Sequence, residues 1–475
     1  MNKTKILSLL NSFIVSQNSI TAPESRIKNI TTNLQNATSE DLVFYKINAK
    51  DETAVKNFKK RMESSSAGML ILNHGAEFVK DQDCLFVDAD HFLKIQKILL
   101  DEIFPNKNKM KIAGVTGTNG KTTTVNLAMQ ISAMTGHPAI SIGTIGVQDI
   151  KGALIEDIES TTPSYVELRK LIYRFQDSYE ACFMEVSSHA LAQDRIFDIK
   201  LDAAAWTSFS QDHLDYHRTM EEYFRSKLLI EKKYLKENKA LMIPAQEKEL
   251  YDIILKTAPD TKVKIAKTLE ERGLGKTLEE RPLFYHSSYN QSNVEIALQL
   301  NEDLFGSDVL KNIKLKDIKT PHGRFSVIEL DNDNMAIVDY AHTPDALTSI
   351  GNAIKNAFPQ HSLTVVFGCG GNRDKSKRPM MGKAVSDFAN KIIVTSDNPR
   401  DEAPEDIIID ILAGIKGSYE AVVDRKKAIV AALEALKKKE IVLIAGKGHE
   451  EYQEIKGVKH PFSDFNVVTN FKAGK

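Results

Sequence analysis

The chain has 475 residues, and its 63 basic and 64 acidic side chains leave a formal net charge of −1. At about 150 residues per domain, this length predicts about three domains. The balanced charge argues against a protein that holds nucleic acid over a broad surface. Three widely separated cysteines argue against a disulfide framework and favour a reducing, cytoplasmic setting.

The N-terminal region begins with apolar residues at helical spacing from Ile6 to Phe13, which predicts an amphipathic helix rather than a secretion signal. Three short apolar runs follow, at residues 41–47, 69–72 and 84–87. A polar stretch at residues 105–109 predicts a linker. No apolar run approaches the ~18 residues of a membrane span, so we expect no membrane insertion.

From residue 111 the chain changes to apolar runs that are followed at once by Gly, Ser or Thr and then by a helical period, which is typical of an α/β fold. Such runs lie at residues 111–116, 181–186 and 203–208 and, after a second predicted linker at 314–321, at 363–367, 391–395 and 441–445. Asp424 is predicted to cap a helix. We expect three domains, at residues 1–108, 109–318 and 319–475, with ligands beyond the carboxyl ends of the strands.

The strongest local motif is Gly117-Thr-Asn-Gly-Lys-Thr-Thr123, between a predicted strand and a predicted helix. Backbone N–H groups of such a turn cradle phosphates, Lys121 can reach the terminal phosphates and the Thr122 hydroxyl can ligate Mg²⁺. The standard motif has Gly where this chain has Val115, so the segment is either a variant phosphate loop or a tight turn. The flanking strand and helix favour a nucleotide site.

Two further segments carry groups that bind metals or move protons. Asp212-His-Leu-Asp-Tyr-His217 is followed by Lys227, and Glu185 ends a predicted strand. Taken alone, the histidines could be structural or surface residues, and Glu185 could be satisfied by a helix N-terminus. Next to a phosphate loop, both segments indicate a site for a hard cation more strongly than they do alone.

These motifs resemble, in identity and order, the Mur ligases of peptidoglycan synthesis, and within that family the members that add diaminopimelate as the third residue. The matching segments, apart from those already quoted, are His322-Gly-Arg-Phe325, Val338-Asp-Tyr-Ala-His-Thr-Pro-Asp345, Phe367-Gly-Cys-Gly-Gly-Asn-Arg-Asp-Lys375, Asp397-Asn-Pro-Arg400 and Gly446-Lys-Gly-His-Glu450. The resemblance implies three α/β domains: a smaller N-terminal one, a central P-loop-type ATPase domain and a C-terminal Rossmann-like domain.

The resemblance also implies an activity. Members of the family use ATP to form an acyl phosphate on the carboxylate of a UDP-linked muramoyl peptide, and the amine of an amino acid then attacks it. For this chain the implied substrates are UDP-N-acetylmuramoyl-L-Ala-D-Glu and meso-diaminopimelate, the implied cofactors are ATP and Mg²⁺, and the implied form is a monomer.

Site residues follow from the resemblance position by position. Residues implied in ATP binding are Gly117, Thr118, Asn119, Gly120, Lys121, Thr122, Thr123, Asn290, Asn293, Arg324 and Asp339. Residues implied in catalysis are Lys121, Glu185, His213 and Lys227, and the implied metal ligands are Thr122, Glu185, His213 and Lys227. Lys227 matches a lysine that the family carbamylates with CO₂, which turns a cation into an anion. Asn290 and Asn293 could instead be an ordinary pair at a helix start.

The two other substrates have implied residues of their own. For the muramoyl dipeptide they are Thr161, Thr162, Ser187, Gln193 and Arg195, and for diaminopimelate they are Arg373, Asp397, Asn398, Pro399, Arg400, Gly446 and Glu450. Meso-diaminopimelate differs from L-lysine by one carboxylate, which a guanidinium can bind with two hydrogen bonds, and Arg400 lies where diaminopimelate-adding members carry Arg. The segment Asn33-Leu-Gln35 departs from the family's Asp-Ser-Arg, so no uridine contact is assigned in the N-terminal domain.

Three alternatives stay open at this point. A lysine-adding Mur ligase or an amide ligase of the folylpolyglutamate synthetase type would share the ATP motifs, and a P-loop nucleotide switch would need only the first motif. We further expect the cationic side chains Lys121, Arg195, Arg324, Arg373 and Arg400 to converge in a basic cleft that the neutral net charge conceals.

Overall fold

The computed structural model describes residues 1–150, 154–158, 160–275 and 283–474. Contacts divide the chain into two compact units. The first comprises Met1–Lys111, Thr162–Glu180 and His189–Lys200, and the second comprises Ile112–Thr161, Ala181–Ser188 and Leu201–Lys475. The division into three domains at residues 108 and 318 stays a prediction.

The first unit is built on a sheet with its own hydrophobic core. Its elements within the first 110 residues are α1 (Lys3–Leu10), β1 (Ile14–Gln17), β2 (Asn29–Thr31), β3 (Asp41–Tyr45), α2 (Glu52–Met62), β4 (Met69–Asn73), β5 (Cys84–Val87) and α3 (Phe92–Ile103). The strand order is β1-β5-β4-β3-β2, with β2 to β5 parallel and β1 antiparallel to β5. The predicted amphipathic helix is confirmed as α1, and the three apolar runs form β3, β4 and β5.

The middle of the chain supplies the sheet that carries the glycine-rich motif. Its elements are β6 (Lys111–Thr116), α4 (Lys121–Met134), β7 (Ala139–Gly143), β8 (Gly146–Gln148), β9 (Leu154–Glu156), α5 (Tyr165–Phe175), β10 (Ala181–Glu185), α6 (Ser188–Ala192), β11 (Ala203–Trp206), α7 (Leu214–His217), α8 (Met220–Leu229), β12 (Leu241–Ile243), α9 (Lys248–Thr257), β13 (Val263–Ile265) and α10 (Ser288–Phe305). The strand order is β13-β12-β11-β6-β10-β7-β8-β9. From β13 to β6 the pairs are parallel, as is β10 with β7.

Helix α5 belongs to the first unit, although the sequence placed it in the central domain. Its residues Tyr165 and Val166 are buried in the core of the first unit. Arg169 on the same helix is fully buried and pairs with Asp101 and Asp198. A buried guanidinium with two carboxylate partners fixes the helix against that core, because the buried charge would be costly without them.

The remainder of the chain forms a third sheet. Its elements are β14 (Ser326–Leu330), β15 (Asn334–Asp339), α11 (Pro344–Ala357), β16 (Ser362–Phe367), α12 (Lys377–Ser386), β17 (Lys391–Thr395), α13 (Pro404–Leu412), β18 (Glu420–Val422), α14 (Arg425–Glu434), β19 (Glu440–Ala445), β20 (Tyr452–Ile455), β21 (Val458–Pro461) and α15 (Asp464–Ala473). The order β14-β15-β19-β16-β17-β18 is parallel except at β14, and β20 pairs with β21 as a separate hairpin.

The sequence pattern explains this third sheet. Strands β16, β17 and β19 are nearly continuous apolar runs and are largely buried, as expected for parallel strands with helices on both faces. The predicted cap is confirmed, because the Asp424 side chain accepts the Lys427 N–H at 3.0 Å at the start of α14. None of the described helices is long and apolar enough to cross a membrane.

Candidate active site

The second unit contains a cavity of about 540 Å³ at the carboxyl edges of its two large sheets. Parallel strands end at the same edge, so the loops after β6, β10, β11 and β12 meet there, as do those after β15, β16, β17 and β19. The residues implied by sequence that line the cavity are Thr118, Asn119, Gly120, Lys121, Thr122, Thr123, Thr161, Glu185, His213, Asn290, Asn293, Arg324, Asp339, Arg373, Asp397, Asn398, Arg400, Gly446 and Glu450.

The other implied residues lie elsewhere. Within the described second unit, Gly117, Ser187, Lys227 and Pro399 are outside the cavity lining. Thr162, Gln193 and Arg195 belong to the first unit. There the Arg195 guanidinium donates to the Thr162 carbonyl at 2.8 Å and to the Gln193 side-chain oxygen at 2.8 and 3.0 Å. These three implied muramoyl-peptide residues therefore form one cluster.

The glycine-rich loop (residues 117–120) joins β6 to α4 in a backbone shape that requires glycine. Gly120 has φ +87°, a left-handed conformation, and a Cβ atom there would overlap the Asn293 side-chain oxygen. The end of β11 holds the loop in place: the Thr118 N–H donates to the Ser208 carbonyl at 2.9 Å and Thr207 Oγ1 donates to the Asn119 carbonyl at 2.5 Å. The loop thus presents a fixed turn at the N-terminus of α4, where backbone N–H groups favour anions.

Two lysines lie close to this loop. Lys121 Nζ donates to the carbonyls of Gly117 and Thr118 at 2.9 and 3.0 Å. Lys227 Nζ, on α8, donates to the same Gly117 carbonyl at 2.8 Å and lies 4.4 Å from the centre of the Tyr223 ring. The pKa of Lys227 lies well below its ordinary value, mainly because the side chain is buried and also because the charge of Lys121 is close by. Burial likewise lowers the pKa of Lys121, although Glu185 and Asp212 oppose that effect.

Glu185 ends β10 and is almost fully buried. Its Oε1 accepts the Thr144 backbone N–H at 2.7 Å, and Gly143 leaves room for the carboxylate because a Cβ there would overlap it. His213 has φ +54° and its ring lies 3.5 Å from Asp212. Among the described residues, no three His, Cys, Asp or Glu side chains are grouped as metal ligands.

Asp212 and Lys377 form a buried ion pair that sequence reasoning missed. Lys377 Nζ, at the start of α12, donates to Asp212 Oδ1 at 2.7 Å, and both side chains are at most 10% exposed. Burial alone would raise the pKa of Asp212, but the neighbouring His213 and Lys377 outweigh it and hold the pKa well below its ordinary value. The two residues are 165 positions apart, and no local pattern links them.

The implied nucleotide residues on α10, just before β14 and at the end of β15 are held by protein groups. Asn290 donates to the Phe284 carbonyl at 3.0 Å, and the Asn293 side-chain oxygen accepts from Thr124 Oγ1 at 3.2 Å. The two oxygens of Asp339 accept the N–H groups of Phe325 and Ala341, each at 2.7 Å. Asp339 thereby orders the turn that carries Arg324, whose guanidinium stacks 4.3 Å from the centre of the Tyr340 ring.

The implied amino-acid residues form a connected network after β17 and β19. Asn398 Nδ2 donates to Glu450 Oε2 at 2.8 Å, and the fully buried Lys447 donates to the same oxygen at 2.7 Å and to Asn398 Oδ1 at 3.0 Å. Asp397 Oδ1 accepts the Asn398 N–H at 2.6 Å. The motif gives Lys447 no role, because its partner Asn398 lies 49 positions away in the chain.

The predicted convergence of cationic side chains is confirmed for Lys121, Arg324, Arg373 and Arg400, but the prediction that the cleft is basic is wrong for this cavity. Four of the five named cations line it, but Arg195 lies in the first unit. The described lining also includes the carboxylates Glu185, Asp212, Glu247, Asp339, Asp345, Asp374, Asp397 and Glu450. Several of these neutralise a lysine or hold a loop, so the cavity combines both signs of charge. His342 is a further lining residue that the sequence did not single out: its Nδ1 bonds the Tyr340 carbonyl at 2.9 Å, and burial lowers its pKa.

Comparisons with known proteins agree with this geometry. The chain matches the family models "Mur ligase middle domain" over residues 115–315 and "Mur ligase, glutamate ligase domain" over residues 323–448. A UDP-N-acetylmuramoyl-L-alanyl-D-glutamate–2,6-diaminopimelate ligase of Rickettsia montanensis is 36% identical over 469 residues, which are 94% of this chain and 96% of that protein. The chain belongs to the Mur ligase family, and the family and α/β fold predictions are confirmed.

Solved structures give the same fold. A structure of UDP-N-acetylmuramoyl-L-alanyl-D-glutamate–2,6-diaminopimelate ligase has a TM-score of 0.59 at 26% identity and covers 100% of this chain and 99% of that one. The folylpolyglutamate synthase of Mycobacterium tuberculosis, complexed with ADP and AMPPCP, has a TM-score of 0.56 at 15% identity and covers 75% of this chain and 94% of that one. The fold alone therefore does not separate the two kinds of ligase.

Proposed function

We propose that this chain is an ATP-dependent acid–amino-acid ligase that joins meso-diaminopimelate to the D-Glu carboxyl group of UDP-N-acetylmuramoyl-L-Ala-D-Glu in peptidoglycan precursor synthesis. One observation carries the proposal: residues 118–120 of the glycine-rich loop line the same cavity as Asp397, Asn398 and Arg400, although about 280 residues separate the two segments in the chain. A phosphate site and an amino-acid site in one cavity support a reaction that couples ATP cleavage to amide formation.

The chemistry has two steps. The D-Glu carboxylate attacks the γ-phosphorus of ATP, the bond to ADP breaks, and an acyl phosphate forms. The amine nitrogen then attacks the acyl carbon, inorganic phosphate leaves, and the nitrogen loses a proton. The first step needs charge stabilisation on the phosphoryl oxygens, which Lys121 and the N-terminus of α4 can supply.

The oxygen donors near the loop suit Mg²⁺. The Thr122 hydroxyl and the Glu185 carboxylate are hard ligands, both line the cavity, and His213 lines it as well. In this proposal Thr122 would hold one Mg²⁺, and Glu185 and His213 would hold a second. The bound metals would supply charge neutralisation at the phosphates. The hydrogen bond from the Thr144 N–H fixes one Glu185 oxygen and so orients the carboxylate.

Lys227 is proposed to be carbamylated. A neutral amine is the form that attacks CO₂, and burial shifts Lys227 toward that form. Carbamylation would replace the Lys227 ammonium group, so that Lys121 would be the one remaining cation of the two that contact the Gly117 carbonyl. The product is an anion next to the phosphate loop, which suits a metal better than a second ammonium group does.

The remaining assignments concern the two other substrates. Thr161, Thr162, Ser187, Gln193 and Arg195 keep their implied role as residues that bind the muramoyl dipeptide. Arg373, Arg400, Gly446, Glu450 and the segment Asp397–Pro399 are proposed to bind diaminopimelate. In this proposal residues 1–108 bind the UDP sugar, residues 109–318 bind ATP and residues 319–475 bind the amino acid.

A single assay tests the function. Phosphate release from ATP is measured with UDP-N-acetylmuramoyl-L-Ala-D-Glu and meso-diaminopimelate, with each omitted in turn, and the product is identified by mass spectrometry. We expect release that requires both acceptors and a product that contains diaminopimelate. Release without either acceptor would indicate a nucleotide switch, a lysine product would indicate a lysine-adding ligase, and activity on folyl substrates alone would indicate the folylpolyglutamate type.

A further inference from the structure

The β20–β21 hairpin is attached to the segment that carries Arg400. Gln453 Nε2 donates to the Asp397 carbonyl at 2.6 Å, and the Glu454 N–H donates to Asn398 Oδ1 at 2.9 Å. The Arg400 N–H in turn donates to the Glu454 carbonyl at 3.1 Å. Three of the four residues from 397 to 400 are thus linked to two consecutive residues of the hairpin, so the hairpin fixes the course of this segment.

Arg400 is held at both its backbone and its side chain. Its φ is +52°, a conformation that residues other than glycine rarely adopt, and its carbonyl accepts the Lys456 N–H at 2.9 Å. Its Nε donates to Glu454 Oε2 at 3.1 Å, and its Nη1 donates to the Gly371 carbonyl at 2.9 Å. The guanidinium therefore has a set orientation, and Arg400 lines the cavity.

The nitrogens of Arg400 that already donate hydrogen bonds determine how its guanidinium can bind a carboxylate. A guanidinium can bind a carboxylate with two parallel hydrogen bonds either along the edge formed by Nε and one terminal nitrogen or along the edge formed by the two terminal nitrogens. Glu454 occupies Nε and so blocks the first edge. One N–H of Nη1 is engaged by Gly371, which leaves its second N–H and those of Nη2 to form the end-on edge.

We propose that Glu454 is a positioning residue that sets the amino-acid specificity of this site by fixing Arg400 with its end-on edge toward the terminal carboxylate of the incoming amino acid. The inference rests on the proposed function. A substrate with a second carboxylate should bind more tightly to the oriented guanidinium of Arg400. A substrate without one, such as L-lysine, should bind no more tightly. Glu454 acts through Arg400 and does not touch the reacting atoms.

The test uses steady-state kinetics of the full chain with Glu454→Ala, Glu454→Gln and the control Glu451→Ala. Glu451 precedes the same hairpin and is exposed. We expect Glu454→Ala to raise the KM for meso-diaminopimelate about tenfold with kcat within about twofold, since a lost orienting bond acts on binding. Glu454→Gln keeps the acceptor oxygen and should restore the KM to within about threefold of the original. Glu451→Ala should leave all constants unchanged.

A double-mutant cycle with Arg400→Ala gives the sharper readout. If Glu454 acts through Arg400, Glu454→Ala has no further effect on the KM for meso-diaminopimelate once Arg400 is alanine. The KM for ATP and the residual turnover of L-lysine should be the same with and without Glu454→Ala. A merely structural role would instead lower kcat, thermal stability and the use of all substrates together.

The outcomes separate the two proposals. If the unaltered protein joins meso-diaminopimelate but Glu454→Ala leaves its KM unchanged or lowers it, or if the cycle is additive, only the role of Glu454 is overturned. The same holds if Glu454→Gln is as impaired as Glu454→Ala. If the unaltered protein forms no amide with meso-diaminopimelate, the proposed function is overturned, and the role of Glu454 with it.

Discussion

Lys121 and Lys227 donate hydrogen bonds to the same backbone oxygen, that of Gly117, at 2.9 and 2.8 Å. Two ammonium groups on one carbonyl repel each other, and burial deprives both of water. The arrangement favours loss of one positive charge, and Lys227 has the more strongly lowered pKa. The first prediction follows from this relationship.

Removal of the Lys227 amine should abolish most of the ligase activity. We expect Lys227→Ala to lower kcat about 10²- to 10³-fold, as for the loss of a group that stabilises developing charge. In the unaltered protein, activity should fall when CO₂ is removed from the buffer and return with bicarbonate, and ¹³C-labelled bicarbonate should give a carbamate NMR signal that Lys227→Ala lacks. Lys232→Ala, at an exposed lysine close by in the chain, serves as the control. Full activity of Lys227→Ala in CO₂-free buffer would contradict the assignment.

Gly120 in the glycine-rich loop and Gly136 beyond the other end of α4 form a matched pair of glycines. Gly120 and Gly136 have φ of +87° and +90°, but a Cβ would overlap Asn293 only at Gly120, since Gly136 has open space around it. Both alanine variants incur the left-handed backbone cost of about 1–2 kcal/mol. We expect Gly120→Ala alone to weaken ATP binding, by about tenfold or more, measured by calorimetry. Equal affinities of the two variants would show that the loop tolerates the added methyl group.

Arg400 should matter for one substrate only. A hydrogen bond to a charged group contributes about 1.5–3 kcal/mol, so Arg400→Ala should raise the KM for meso-diaminopimelate about 10- to 150-fold. The KM for ATP should stay the same, and kcat should change by less than about threefold. Arg225→Ala removes an exposed arginine on α8 and controls for the loss of a positive charge. A fall in kcat with an unchanged KM would place Arg400 outside amino-acid binding.

The buried pair of Asp212 and Lys377 should contribute stability that depends on pH. Asp212→Asn leaves the Lys377 charge buried and unpaired, which should cost about 3 kcal/mol of unfolding free energy at pH 7. Because the folded pKa of Asp212 lies below its unfolded value of about 4, this stabilisation is fully present above that value and is lost as the pH falls through the folded pKa.

The difference in unfolding free energy between the unaltered protein and Asp212→Asn should therefore decrease as the pH is lowered from 5 toward 3. Trp206 is the single tryptophan of the sequence and is fully buried at the end of β11, so its fluorescence in urea titrations reports on this region. Asp308→Asn removes an exposed carboxylate that pairs with Lys311 and should change stability by less than about 0.5 kcal/mol. A difference in unfolding free energy that stays constant with pH would mean that Asp212 is not the source of the pH-dependent stability.

Much of the fold could be predicted from the sequence because its signals are local. The apolar runs at β6, β10, β16, β17 and β19, the Asp424 cap and the loop from Gly117 to Gly120 each depend on residues within a few positions of one another. The placement of α5 in the first unit could not be predicted in this way. Its assignment depends on Arg169 meeting Asp101 and Asp198, which are far from it in the chain.

The sequence by itself determined the family, the order of the strands and helices around the loops, and many of the residues that line the cavity, because strand ends and motif spacing are encoded locally. Only the tertiary structure decided how those residues are used. Asp339 holds a turn, Asp212 neutralises Lys377, and Glu454 engages one edge of Arg400. Hydrogen bonds and charges act over a few ångströms in space, and which groups come that close depends on how the sheets and loops pack.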